Sequence, residues 1–426
     1  MTWLQRYRLR NYFRNSIWIA PFLGIVAAIL LCRLVYWIDK QMGLNSNFDP
    51  GATRSLLETL ASATFTLIVF VSSALLLAIQ LASAQLTPRV ISFFFRDTIT
   101  KLSLTLFTFT FTFSLAVAVR ISGTVPVFAV RTAAFACLLS LAFFVFLIDH
   151  VGKFLRPSGV LRLVTLLGRQ VIESVYPDPF RGSINSVPTT SVGTDLEPFR
   201  TIGSSRGGVI LALDVPGLVS LAEKFDCVIE MIPQVGDFVA AQEPLFRVFN
   251  GGAALPDKAL HDSVAVGSER TIEQDPELPF RILVDIASKG LSAAINDPTT
   301  AVLAIDQIHR LLRYVGLRNL DEGNVRDSVG HLRLIFPTPD WEDFVYLAVT
   351  EIRHYGSSSI QVSRRLKEML DNLIETLPPA RTPILREELG RLQRSVERSF
   401  PESDDRLLAE VCDSLGVGGN RVNSQT

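Results

Sequence analysis

The densest group of side chains that can take part in binding or catalysis lies between residues 269 and 300. Arginine, carboxylate, hydroxyl and amide groups follow one another there, and backbone amides at a helix start would add hydrogen-bond donors. Such a set is typical of a site for an anion or for a loop of a partner. The candidate residues for a ligand or interface site are Arg270, Thr271, Asp275, Arg281, Asp285, Ser292, Asn296 and Asp297.

The same residues also permit a structural interpretation. Asp297 precedes Pro298 and has the position of a helix N-cap, while Arg270 and Arg281 each have carboxylates close by in the sequence. In that interpretation the cluster holds a β-rich segment against a helical bundle. Both interpretations stay open on the sequence alone.

No catalytic residue, metal or cofactor is predicted. No nucleophile lies beside a base in a known motif, the five histidines form no ligand pattern, and the four cysteines show no paired spacing. The V-G-D-F-V pattern at 235–239 resembles half of a lipoyl or biotinyl carrier, but the lysine that those domains modify is missing. A net charge of −1 without a basic stripe argues against nucleic acid as a partner.

Periodicity indicates which elements must position the cluster. An Asp297–Pro298 start signal follows one helical pattern and opens a second, and helical patterns continue to about residue 415. Short apolar runs around the Gly236–Asp237 turn predict strands. We therefore expect a cytoplasmic linker at 156–208, a small β-rich module at 209–265 and an α-helical domain at 266–426 that ends in a helical bundle. The apolar repeat of its first helix is Phe280, Leu283, Val284, Ala287 and Leu291.

The first third of the chain has the composition of a membrane domain. Hydrophobic residues make up 48% of the chain and charged residues 19%, and the apolar excess is concentrated before residue 150. A helix of about 20 apolar residues crosses a hydrocarbon core about 30 Å thick. We predict four transmembrane helices in 1–155, in contact with the lipid bilayer, at about 17–38, 59–81, 102–121 and 125–148.

The third span alternates phenylalanine with threonine from Phe107 to Ser114, a pattern that predicts a strand in water. In lipid a lone strand cannot satisfy its backbone, so we predict a helix instead. Thr105, Thr108 and Thr112 then share one face, which favours helix–helix contacts over a pore lining. Packing of this kind also permits a homo-oligomer.

Positive charge predicts the orientation of the spans. Basic residues are frequent before the first span, between spans two and three, and after the fourth, which places both termini in the cytoplasm. Those residues are Arg6, Arg8, Arg10, Arg14, Arg89, Arg96, Lys101, Lys153, Arg156, Arg162 and Arg169, whereas the opposite side carries Lys40, Arg54, Arg120 and Arg131.

Two motifs resemble those of a known family. They are E-R-T-x-x-Q-D at 269–275 and L-V-D-I-A-S-K-G-L-S-A-A-I-N-D-P-T-T-A at 283–301, and Ala84 to Arg89 with Arg96 and Asp97 adds to them. With the four-span layout they resemble the domain-of-unknown-function 2254 family of predicted bacterial membrane proteins, although the family pattern usually has a proline where this chain has Ala293. The resemblance implies a multi-pass protein of the bacterial inner membrane, and it implies no activity.

Three classes of function remain open. A regulatory or scaffold protein with a cytoplasmic domain is favoured, a homo-oligomeric channel or transporter is the alternative, and a membrane-bound enzyme comes third. No acidic residue lies deep in a span, since Asp39, Glu58 and Asp149 all fall at the ends, and this argues against an ion-coupling site. The ligand of the 269–300 cluster is unknown.

Overall fold

The computed structural model describes residues 1–42, 48–121, 125–180, 182, 197–320 and 323–413. The chain divides into two compact units. The membrane unit is formed by residues 10–159, and the soluble unit by residues 1–9 together with the chain from residue 160 onward. The division falls inside the first helix, α1 (Trp3–Asn15). The predicted membrane domain at 1–155 therefore loses its first nine residues, because their apolar side chains pack within the soluble unit.

Within the described residues, four helices are long and apolar enough to cross a membrane, as predicted. Large apolar side chains such as Leu138, which is 68% exposed, cover their outer surface, where lipid can replace water. The second helix has 36 residues, about 54 Å, and so extends past both ends of the predicted span at 59–81. The four helices are α2 (Ile19–Met42), α3 (Pro50–Gln85), α5 (Thr98–Arg120) and α6 (Val127–Phe154), with the short α4 (Ile91–Arg96) before α5.

Helix α5 packs against α2, α3 and α6, and Phe107 and Phe113 on it are fully buried. The predicted helix thus forms despite the alternating sequence. Gly24 of α2 lets the backbones approach, since a Cβ atom there would lie 2.8 Å from the carbonyl oxygen of Thr105. Thr108 Oγ1 donates to the carbonyl oxygen of Pro21 (3.3 Å), which confirms the helix–helix role predicted for that face.

Two carboxylates cap helices inside the membrane unit. Asp39 accepts the backbone N–H groups of Phe128 (3.0 Å) and Ala129 (3.2 Å) at the start of α6. Asp97 accepts the N–H of Thr100 (2.8 Å) at the start of α5 and pairs with Nε2 of His150 (3.1 Å). Both acids are therefore used to satisfy helix ends, where backbone donors have no partner inside the helix.

The predicted linker at 156–208 is wrong in its first part. Residues Pro157–Val175 form the amphipathic helix α7, and Arg200–Gly203 form the strand β1. The buried positions Val160, Leu161, Val164, Val171 and Ile172 recur with helical spacing and pack within the soluble unit. The Pro-, Gly- and Ser-rich composition of the later residues concealed this periodicity, and residues 181, 183–196 lie outside the described part.

The β-rich segment forms two sheets, with strand orders β1-β5-β3-β8-β7 and β4-β2-β6. The strands β3 and β5 pair antiparallel, and β3 pairs in parallel with β8, for example Ile229 with Leu334. The bounds are β2 (Gly208–Leu213), β3 (Val228–Met231), β4 (Phe238–Val239), β5 (Pro244–Phe249), β6 (Val264–Gly267), β7 (Asn324–Arg326) and β8 (Leu332–Ile335), with α8 (Val215–Lys224) and α9 (Asp257–His261) between them.

The predicted boundary between a β-rich module at 209–265 and an α-helical domain at 266–426 is also corrected. The strands β7 and β8 come from the second range and complete the sheet of the first. One apolar core joins Leu218, Ile229, Phe246 and Leu334 across that boundary. Local patterns miss this arrangement because strand pairing over about a hundred residues leaves no local periodicity.

The C-terminal helical bundle is present as predicted. Phe280 of α10 contacts Phe344 of α12, with ring centroids 5.3 Å apart, and both side chains are fully buried. The predicted last helix at 402–415 ends at Glu410, and residues after 413 lie outside the described part. The helices are α10 (Leu278–Gly290), α11 (Pro298–Gly316), α12 (Trp341–Gly356), α13 (Ile360–Thr376), α14 (Thr382–Ser399) and α15 (Ser403–Glu410).

Candidate functional site

The first part of the candidate site is an ion pair in the segment between β6 and α10. Arg270 donates from Nε to Oδ2 of Asp275 (2.6 Å) and from Nη2 to Oδ1 (2.8 Å), a bidentate pair. Asp275 is only 2% exposed, and Arg270 is 29% exposed. Oδ1 of Asp275 also accepts the N–H of Leu278 (3.0 Å) in the first turn of α10. The pair thus fixes the start of that helix.

Glu277 extends the pair toward the β-rich part. Nη2 of Arg270 lies 3.3 Å from Oε2 of Glu277, which also accepts from Nε2 of Gln234 (3.3 Å). Burial raises the pKa of the Glu277 carboxyl, and the positive charge of Arg270 only partly offsets this. Burial by itself lowers the pKa of Arg270, but its bonds to Asp275 and Glu277 prevail and raise it.

The guanidinium of Arg270 lies against the turn before β4. Gly236 in that turn has a φ of +103°, and a Cβ atom there would lie 2.5 Å from Nη2 of Arg270. Only glycine combines this backbone conformation with so close an approach. Arg270 therefore joins the β-rich part to the start of α10, which is the structural role that the sequence left open.

The same segment holds the end of β2 and the N-terminal helix. Oε1 of Gln274 accepts the N–H of Leu213 (2.7 Å), and its Nε2 donates to the carbonyl oxygen of Leu213 (3.2 Å). Tyr7 donates its hydroxyl to Oε2 of Glu273 (3.1 Å). Leu4 and Tyr7 also pack on Leu211, Ala212 and Ala265. The sequence interpretation missed this docking, because two apolar residues three positions apart are too weak a signal for an amphipathic helix.

Arg281 forms the second part of the candidate site. Its Nε donates to Oδ1 of Asp285 (2.7 Å), one helical turn away, as the spacing predicted. Its Nη2 also donates to Oε2 of Glu351 on α12 (2.7 Å), a partner that the sequence did not indicate. The bonds to Glu351 and Asp285 raise the pKa of Arg281 despite its partial burial. This group joins α10 to α12.

The third part is the turn between α10 and α11. Asn296 has a left-handed backbone with a φ of +47°, and the carboxylate of Asp297 accepts the N–H of Thr300 (3.0 Å). The predicted N-cap is therefore present. Ser292 donates its hydroxyl to the carbonyl oxygen of Lys289 (2.7 Å), and the N–H of Asp297 bonds to the carbonyl oxygen of Gly290 (2.6 Å).

The structure thus divides the candidate residues into three local groups instead of one convergent site. Both guanidinium groups already have carboxylate partners, so an added anion would compete with Asp275 or Glu351. Thr271 differs from the rest, because its buried Oγ1 has no hydrogen-bond partner in the described part of the chain. A ligand or subunit contact at these residues stays a prediction.

A second location was not predicted from the sequence at all. A cavity of about 880 Å³ lies in the soluble unit, where the ends of β3 and β8 meet the start of α12. Residues that line it include Phe180, Glu230, Trp341, Glu342 and Arg381. These positions are spread over about 200 residues, in a strand, a helix and the segments between elements, so no local motif could have indicated them.

Four membrane-spanning helices joined to a soluble α+β unit define a multi-pass membrane protein. The chain belongs to the DUF2254 family, described as a predicted membrane protein, whose model matches residues 14–372. It is 24% identical over 423 residues to uncharacterized proteins of Mycobacterium bovis and Mycobacterium tuberculosis strain H37Rv, covering 95% of this chain and 80% of each relative. No solved structure matches the chain.

Proposed function

We propose that this protein is a regulatory or scaffold protein of a bacterial inner membrane, in which the soluble unit makes the functional contacts and α1 transmits them. The observation that carries the proposal is the membership of residues 1–9 in the soluble unit. The chain leaves this unit, forms the membrane helices and returns at residue 160. A membrane domain that served only as an anchor would need one connection to the soluble unit, such as the one at residue 160. Here the continuous helix α1 provides a second connection.

Both ends of α1 are held. Toward its start, Leu4 is buried and Tyr7 bonds to Glu273 in the soluble unit. Toward its end, Nε of Arg96 donates to Oδ1 of Asn15 (2.6 Å), and Nζ of Lys101 donates to the carbonyl oxygen of Arg14 (2.6 Å), both within the membrane unit. The start of α1 thus belongs to the soluble unit and its end to the membrane unit, and one unbroken helix joins them.

Release of α1 from the soluble unit tests this coupling. We expect Leu4→Glu to raise amide hydrogen exchange in β2 and β6 about tenfold or more, because burial of a leucine contributes roughly 1.5–3 kcal/mol. Exchange at Thr98–Lys101 in the first turn of α5 should rise as well. The matched control is Leu9→Glu on the same helix, since Leu9 is already 45% exposed. If hydrogen exchange rises only in β2 and β6 and not at Thr98–Lys101, the proposal that α1 couples the two units loses its support.

A homo-oligomeric channel or transporter is the alternative. The capping roles of Asp39 and Asp97 support regulation, because both acids are used at helix ends and leave no carboxylate for a conducted ion there. Phe107 and Phe113 are fully buried between the helices, beside buried hydroxyls such as that of Thr110. Full-length protein in liposomes should therefore pass ions no faster than protein-free vesicles. Thr108 packs on α2, so Thr112 is the better pore probe. Sustained flux abolished by Thr112→Phe would instead favour the channel, with subunit contacts between copies.

The distribution of arginine and lysine supports a cytoplasmic location for both termini. Reporter fusions after residues 95 and 170 should report the cytoplasm, and fusions after residues 45 and 123 the opposite side. Residues 45 and 123 themselves lie outside the described part of the chain. A cytoplasmic signal from the fusion after residue 45 would reverse the proposed orientation.

A further inference from the structure

The cavity in the soluble unit contains one arginine, Arg381, that has no anionic partner among the described residues. The guanidinium carbon of Arg381 lies 5.0 Å from the ring centroid of Phe180 and 5.5 Å from that of Trp341. Its Nη2 donates to the carbonyl oxygen of Arg318 (3.1 Å), whereas its buried Nε has no hydrogen-bond partner among the described residues. The aromatic rings and the carbonyl oxygen hold the cation in one orientation.

Arg381 differs in this respect from three arginines of the unit that are paired with carboxylates. Arg270, Arg281 and Arg353 each have a carboxylate within 4 Å, and in the described part of the chain Arg381 has none. Burial lowers the pKa of the Arg381 guanidinium, and the more distant charges of Glu342 and Asp340 offset this only in part. A desolvated, oriented cation of this kind is favourable for a protein when a bound anion neutralises it.

The rest of the charged lining has the opposite sign. The described residues around the cavity include the carboxylates of Asp178, Glu230, Asp340 and Glu342, against the single cation Arg381. Glu230 pairs with Arg247 (3.3 Å), and Asp340 accepts the N–H of Asp343 (2.8 Å) as the N-cap of α12. Glu342 is exposed in the first turn of the same helix and is available to a ligand.

These charges select between ligand classes. A polyanion such as a nucleotide would meet repulsion from the carboxylates, and a simple cation would leave Arg381 without a partner. A molecule with one carboxylate and one protonated amine satisfies both, and a volume of about 880 Å³ lies within the range of small-molecule sites. We infer that the cavity binds a small zwitterion, an amino acid or short peptide, with its carboxylate on Arg381 and its ammonium group at Glu342.

Calorimetric titration of the full-length protein in detergent tests the inference with four probes. L-alanyl-L-alanine carries both charges, its N-acetyl derivative carries only the carboxylate, and its C-terminal amide carries only the ammonium group. Both derivatives should bind at least about tenfold more weakly than the dipeptide, because each loses one charge-assisted contact. L-alanine distinguishes an amino-acid site from a peptide site. Tighter binding of the dipeptide than of L-alanine indicates a peptide site, and tighter binding of L-alanine indicates an amino-acid site.

Substitutions then assign the two contacts. Arg381→Gln should reduce the affinity for the dipeptide at least about tenfold, while Arg386→Gln, on an exposed arginine of α14, should leave it unchanged. Glu342 is exposed, so Glu342→Gln should leave the stability of the fold nearly unchanged. This variant should bind the dipeptide more weakly and the N-acetyl derivative with unchanged affinity. Misfolding would weaken the binding of both, so it cannot produce this selectivity.

The inference is overturned if none of the four probes binds wild-type protein at millimolar concentration. It is also overturned if the C-terminal amide binds as tightly as the dipeptide, because Arg381 then has no role in recognition. Lower thermal stability of Arg381→Gln without any binding to wild type would make Arg381 a packing residue only. Binding is measured directly, so this outcome is independent of whether α1 couples the two units.

Discussion

Replacing Arg270 with glutamine should lower the free energy of unfolding of the soluble unit by about 3 kcal/mol. The reason is the burial of Asp275, which is 2% exposed and receives two of its hydrogen bonds from Arg270. Without the guanidinium, this carboxylate stays buried with the N–H of Leu278 as its remaining described donor. An uncompensated buried charge destabilises a fold more than a lost surface pair does.

Alkylation of Cys227 measures this change in the full-length protein. Cys227 is 1% exposed in the core of the β-rich part, and burial raises the pKa of its thiol, so the folded protein reacts slowly. A loss of about 3 kcal/mol should accelerate the reaction roughly a hundredfold, because each 1.4 kcal/mol is a factor of ten. Mass spectrometry of the peptide that contains Cys227 separates it from the other cysteines.

Arg247→Gln is the matched control for Arg270→Gln. Arg247 lies in the same part of the unit and pairs with Glu230, but its side chain is 44% exposed. Its loss should cost less than about 1 kcal/mol. The contradicting outcome is alkylation of Cys227 in the Arg270→Gln variant at the wild-type rate, while the variant no longer assembles or binds a partner. In that case the cluster at 269–300 is a functional site, and the structural interpretation of Arg270 is wrong.

The largest loss of stability is expected for Phe344→Ala, about 4 kcal/mol. Phe344 is fully buried, with its ring centroid 5.3 Å from that of Phe280 and 6.3 Å from that of Tyr176. It therefore joins α12 to α10 and to the residue that follows α7. Truncation removes two aromatic contacts and leaves a cavity that rigid helices cannot close.

Thermal unfolding checks this prediction, with hydrogen exchange of α10 and α12 as the readout for the soluble unit. The melting temperature should fall by roughly 8–16 °C, since each 1 kcal/mol shifts a domain of this size by about 2–4 °C. The control is Tyr355→Ala on the same helix, because Tyr355 is 55% exposed and should change stability little. Equal melting of the two variants would show that α12 does not pack in the core as described.

Local features of the site were predictable from the sequence. The cap at Asp297 and the pair of Arg281 with Asp285 depend on residues three or four positions apart, a spacing that the helix itself imposes. The second partner of Arg281 lies 70 residues away, at Glu351. Arg381 meets Trp341, which lies 40 residues away, and Phe180, which lies much further away in the sequence. These contacts exist only once the helices and sheets have packed.

The apolar runs alone were sufficient to predict the membrane helices, because lipid leaves the backbone no alternative to internal hydrogen bonds. That constraint made a helix of α5 despite its alternating phenylalanine and threonine residues. The docking of α1 in the soluble unit and the pairing of β8 with β3 could be seen only in the packed fold. In water, a short amphipathic helix or strand can pack against many different surfaces. The surface that it contacts is formed by parts of the chain that are distant in sequence, so local patterns do not predict it.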